Sequence, residues 1–148
     1  MSLNRLKSFL EKQNIKVATV GPGKIATRIE SCDYRIQYPV VFEANPLNGE
    51  KIEGAVCFSA SWAPPDHLAA LCRDFQEYCG TLASLRFYPE VRRVRIMSAV
   101  CSREPESAIG ILISTCDSLL PVWLHVDGGG SWDGDLLDFA WTMCQGEA

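Results

Sequence analysis

The chain has 148 residues, 47% hydrophobic and 22% charged, with a formal net charge of −4. Those proportions fit one globular domain and exclude a disordered or low-complexity chain. The charge is unevenly placed: residues up to Arg103 carry all 14 basic side chains against 10 acidic ones, whereas Glu104 to Ala148 carry eight acidic side chains and no basic one. Such an asymmetry bears on association and docking rather than on fold.

The first element, Leu3 to Asn14, sets Leu3, Leu6, Phe9 and Leu10 on one helical face, with Arg5, Lys7, Glu11 and Lys12 on the other and Ser2 as N-cap. Its charged, amphipathic pattern is not that of a secretory signal, and the expected location is cytoplasmic. Gly21-Pro22-Gly23 ahead of Lys24 lacks the spacing of a phosphate loop and reads as a turn. Strands follow. Tyr34, Ile36, Tyr38 and Val40 alternate with Arg35, Gln37 and Pro39 in a run that ends at Phe42. Asn48-Gly49 suits a hairpin connection into a second arm from about Lys51 to Ser61, where Gly54 is expected to mark a bulge.

Pro64-Pro65-Asp66 opens the next helix, whose stripe is Leu68, Leu71, Cys72, Phe75, Tyr78 and Cys79 and whose stop is Gly80. Period two then returns. Arg86, Tyr88, Arg93 and Arg95 alternate with Phe87, Val94 and Ile96, either in one bent strand or in a hairpin about Pro89-Glu90. The outward face of this segment is basic, with Arg86, Arg92, Arg93, Arg95 and Arg103 opposed only by Glu90. It is either a solvated face that discourages edge pairing or a surface for an acidic partner, including the chain's own acidic end.

Glu104-Pro105-Glu106 starts a further helix carrying Ile109, Leu112, Ile113, Cys116 and Leu120 to Pro121, although the β-branched residues around Ile109 to Ile113 also fit a strand. Val122 to Val126 extends that helix or forms a short extended piece. The weakly polar stretch Ser107 to Val126 is broken by Ser114, Thr115, Asp117, Ser118 and Pro121, and falls short of the roughly 18 uninterrupted apolar residues of a membrane span. Asp127 to Ser131 reads as a glycine linker, and Asp133 to Cys144 as a short acidic helix. The division is a single domain over residues 1–126 and an acidic extension over 127–148.

Seven cysteines (Cys32, Cys57, Cys72, Cys79, Cys101, Cys116 and Cys144) include no Cys-x-x-Cys pair, and His67 and His125 stand at no ligand-like spacing from them. Reduced, structural thiols are expected, with no metal site and no cofactor. Cys72 and Cys79, two turns apart on one helix, are too distant for a direct disulfide. His125, Asp127 and Ser131 compose a nominal hydrolytic trio without the Gly-x-Ser-x-Gly elbow. Among the tryptophans, Trp62 fits the core at a strand-to-helix junction, while Trp132 and Trp141, flanked by acids, fit an interface.

The order is helix, three strands, helix, one or two strands, helix. It resembles the YbjN family and the type III secretion chaperone-like fold, through Leu6-Lys7-Ser8-Phe9-Leu10-Glu11, the Asn48-Gly49 hairpin, the helix Leu68 to Cys79, the strand Arg93 to Ser98 and the segment Glu104 to Leu120. The likeness spans residues 3–126; the cysteine content and the extension after Gly128 depart from it. It implies an α+β domain: an antiparallel sheet of about five strands packed against helices in the order α-β-β-β-α-β-β-α, with a short C-terminal helix. It also implies a non-catalytic role, commonly that of a homodimer that holds or regulates another polypeptide.

The reading is therefore a non-enzymatic protein-binding domain of chaperone-like or regulatory-adaptor type, with Arg86, Arg93, Arg95, Trp132 and Trp141 as binding residues. The expected partner is another polypeptide or a second copy. Nucleic acid is disfavoured by the net charge and the acidic end. The alternative is a small hydrolase or small-molecule-binding protein built around His125 to Ser131.

Overall fold

The computed structural model describes residues 2–47, 51–100 and 104–130. The first helix is α1 (Leu3–Lys12). Four strands follow, β1 (Val17–Gly21), β2 (Lys24–Glu30), β3 (Gln37–Ala44) and β4 (Ile52–Ser59), and then α2 (Pro65–Cys79). Next come β5 (Ser84–Tyr88), a 3-10 turn (Pro89–Val91), β6 (Arg93–Val100) and α3 (Pro105–Asp127). The sheet is six-stranded and antiparallel in every pairing, in the order β1-β2-β3-β4-β6-β5.

The α+β class and the antiparallel sheet are as the sequence pattern implies, but four strands rather than three precede α2. The additional pairing is the β1–β2 hairpin, which turns at Gly21-Pro22-Gly23 with a register shift between Thr19 and Gly21. The Asn48-Gly49 turn and the short C-terminal helix lie outside the described residues.

One face of the sheet carries all the helices. Tyr38, Val40 and Phe42 of β3, Ile52, Val56 and Phe58 of β4, and Val94 and Ile96 of β6 are buried in one cluster. Leu6 and Leu10 of α1, Leu68, Leu71 and Phe75 of α2, and Leu112, Cys116, Leu119 and Trp123 of α3 complete that cluster. The caps are those the sequence signals. The Ser2 hydroxyl accepts the Arg5 amide at 3.2 Å, Pro65 opens α2, and Gly80 closes it with φ of 60°, a conformation that glycine adopts without strain.

Gly54 is not a bulge. Its register with Phe42 and Ser98 is regular, and a Cβ there would lie 2.8 Å from the Phe42 ring and 3.0 Å from Leu112. The missing side chain lets α3 approach the sheet closely.

α3 resolves the helix-or-strand alternative for residues 107–115 in favour of helix. It also runs through Pro121, which withholds the N–H that the Asp117 carbonyl would otherwise accept. The helix continues because Val122, Trp123 and Val126, beyond the proline, are buried against the sheet. By length and composition alone α3 is apolar enough to cross a bilayer, but half of that stretch is buried inside this fold. Asp127 is the last residue of the helix and not the start of a linker.

Candidate functional site

The second face of the sheet has no helix over it among the described residues. Alternation assigns to it Lys24, Ala26, Arg28 and Glu30 of β2, Val41 and Glu43 of β3, and Glu53, Ala55, Cys57 and Ser59 of β4. β6 contributes Arg93, Arg95, Met97 and Ala99, and β5 contributes Ser84, Arg86 and Tyr88. Apart from the small buried Ala55, these positions are exposed or half-buried.

The basic segment is a hairpin, not one bent strand. It turns through Pro89–Val91, and Arg92 takes the left-handed conformation at φ 49° to re-enter the sheet. That turn fixes the register: Arg86 pairs directly with Arg95, and Tyr88 with Arg93. Three of the five residues named for binding, Arg86, Arg93 and Arg95, thereby share one small area. Two like charges directly opposite each other on a strand pair are unfavourable unless something neutralises them.

What neutralises them inside the fold is limited. Arg95 Nη2 lies 3.9 Å from Glu43 Oε2, and that carboxylate is shared with Lys24 Nζ at 3.7 Å from Oε1. The Arg86 guanidinium carbon sits 5.5 Å from the centre of the Tyr88 ring, a cation–π arrangement. Arg93 Nε donates to Ser59 Oγ at 3.3 Å. No carboxylate among the described residues forms an ion pair with Arg86 or Arg93. Trp132 and Trp141 lie outside the described residues.

At the Arg93 end of this face the β4–α2 loop forms a corner. Asp127, closing α3, accepts the amides of Ser61, Trp62 and Ala63 at 2.8–3.0 Å. Partial burial would raise its pKa, but these three amides and nearby Arg92 hold the carboxyl below its ordinary range. The Ala60 amide donates to the Arg92 carbonyl at 2.8 Å, tying the loop to the β5–β6 turn as well.

The loop so held presents Trp62, which is 82% exposed and not the core residue its position in the sequence implies. Of the two described tryptophans the buried one is Trp123, whose ring NH donates to the Ser59 carbonyl at 3.1 Å. Exposed Leu124 and Val91 lie on the other two segments of the corner. Its sequence signal was the break in alternation after Ser59 ahead of two prolines; the carboxylate that holds the loop is 65 residues away.

Two members of the nominal hydrolytic trio are described. Asp127 is committed to the three loop amides, the His125 ring packs against Gly130, and Ser131 lies outside the described residues. An open groove lies near the opposite end of α3, lined by Phe9, Ile15, Val17, Ile29, Glu106 and Ile109.

Asp117 is the other informative carboxylate, buried on α3 beneath the β2–β3 connection. Ser31 Oγ donates to it at 2.6 Å, the Tyr38 hydroxyl at 2.5 Å, and the amides of Cys32 and Asp33 at 2.9 and 3.2 Å. The Asp33 and Tyr34 amides also donate to Ser31 Oγ. Residues 32–34 therefore spend their amides on side chains instead of a ladder, which is why β3 begins at Gln37 and not at Tyr34.

Burial, with the hydrogen bond to Asp117 behind it, raises the Tyr38 pKa well above its ordinary value. Among the described cysteines, Cys32 and Cys57 are exposed while Cys72, Cys79 and Cys116 are buried, and none is paired. Burial pushes the Cys72 thiol up to about 12 and that of Cys79 to about 11, which suits structural thiols and not redox sensors.

No protein-family model matches the chain, and no curated protein matches it in sequence. Its fold is similar to the crystal structure of YbjN, a candidate transcription regulator from E. coli, with a TM-score of 0.44 and 12% identity over 81% of this chain and 94% of that one.

Proposed function

We propose that this chain is a non-enzymatic protein-binding domain, chaperone-like or adaptor-like, whose open sheet face engages an acidic polypeptide or a second copy of itself in a homodimer. The observation that carries this reading is the cross-strand Arg86–Arg95 pair with Arg93 beside it, on a face that no helix among the described residues covers. Arginine offers paired donors to carboxylates, and a rigidly held, exposed tryptophan is a common anchor at interfaces. Arg86, Arg93 and Arg95 supply the charge, and Trp62 the apolar anchor at the corner.

Solution mass, measured by light scattering at low and high salt, tests this. A dimer held by this face dissociates as salt screens it, and Arg93→Glu/Arg95→Glu is monomeric at low salt. A variant of unchanged mass, with unchanged partner binding, overturns the assignment of the face.

A further inference from the structure

Within the arginine group, the two members without an ion pair stand next to each other. Arg95 is half-buried and shares Glu43, whereas Arg86 and Arg93 are exposed and pair with no carboxylate among the described residues. Because Arg86 opposes Arg95 and Tyr88 opposes Arg93, Arg86 and Arg93 are diagonal neighbours across the β5–β6 ladder. Such positions lie about 7 Å apart, so two long side chains there reach one ligand group between them. Resting on the reading of this face as a binding surface, we infer that Arg86 and Arg93 take a phosphate monoester carried by a polypeptide, with an apolar residue of the same segment seated at Trp62.

Both guanidiniums are positioned and still have donors to spare. Arg86 lies 5.5 Å from the centre of the Tyr88 ring, a contact made through its charge that consumes none of its N–H groups. Arg93 spends Nε on Ser59 Oγ, and its two terminal nitrogens have no acceptor among the described residues. A carboxylate brings two oxygens and one charge, enough for one such fork. A phosphate monoester brings three free oxygens and close to two charges, so it bonds both forks and offsets both cations.

The corner beside Arg93 is the ground for a polypeptide. Ser59 pairs with Arg93, and Trp62 follows shortly on the loop that Asp127 pins. Trp62 therefore lies within about 16 Å of Arg93, a span that an extended peptide crosses in about five residues. Trp62, Val91 and Leu124 are all exposed, and together they offer apolar surface to a side chain and nothing to a free anion. A nucleic acid is opposed by the formal charge of −4, and Val91 and Leu124 give no hydrogen bond to the edge of a base.

Retention of synthetic peptide libraries on the immobilised full chain tests this. The libraries are degenerate peptides of about ten residues, alike except for one central position fixed as phosphoserine, aspartate or serine. The phosphoserine library is expected to be retained about tenfold more than the aspartate library, with apolar residues enriched within about five positions of the phosphoserine. Arg86→Gln/Arg93→Gln should lose that preference with its urea unfolding midpoint unchanged, and Trp62→Ala should lose the apolar enrichment. A preference that survives Arg86→Gln/Arg93→Gln overturns the site. Equal retention of the phosphoserine and aspartate libraries overturns the phosphate and leaves the acidic-polypeptide reading standing. Release of the bound peptides by an equal concentration of inorganic phosphate or AMP overturns the polypeptide as its source. Retention of no library overturns the inference, and solution mass then decides the homodimer separately.

Discussion

The two faces of the sheet are built from alternate residues of the same strands and obey different rules. On the covered face, Phe42, Gly54 and Ile96 meet Leu112 and Trp123 of α3 in a continuous core, where shape decides what is tolerated. On the open face, Arg86, Arg93 and Arg95 stand together with one shared carboxylate nearby, where charge and accessibility decide. The same division separates the two carboxylates of α3. Asp117 is buried and organises the β2–β3 connection, whereas Asp127, at the rim, holds an exposed loop and its tryptophan in place. Core packing and the proposed binding surface thus lie on opposite sides of one layer.

Substitutions should separate the faces in graded order. Asp117→Ala is expected to have the largest effect, about 3 kcal/mol in urea unfolding, because it strands the Ser31 and Tyr38 hydroxyls and two amides without an acceptor. Tyr38 gives this site a pH signature. Its folded pKa is raised, so its contribution is complete below the unfolded tyrosine value of about 10 and is lost as pH rises beyond it. Tyr38→Phe should flatten that alkaline loss of stability, read as the unfolding midpoint between neutral and strongly alkaline pH.

Next comes Gly54→Val, expected to cost about 2 kcal/mol by forcing α3 away from the sheet. The smallest change should come from the open face. Arg93→Glu/Arg95→Glu should leave unfolding free energy within about 0.5 kcal/mol of wild type while altering association. A loss comparable with that of Gly54→Val would erase the distinction between a structural face and a binding face.

Much of this was legible along the chain. Helical spacing marked Leu6 and Leu10, the stripe from Leu68 to Cys79 and the run from Ile109 to Cys116. Period two marked Tyr38 to Phe42 and Val94 to Ile96, because a half-buried element repeats its burial locally. The arginine segment was visible for the same reason. Trp62 is exposed where its place in the sequence implies the core, because tryptophan fits either a core or an interface, and it is Trp123, on α3 past Pro121, that is buried.

The sequence by itself determined the α+β alternation, the caps and turns, the cluster of arginines and the confinement of net negative charge to the last residues, all properties read within a few neighbours. Only the tertiary structure decided which face of the sheet the three described helices cover, that Arg86 would oppose Arg95, and that Asp117 and Asp127 would serve loops 85 and 65 residues away. Those outcomes depend on partners distant along the chain, and no local period encodes them.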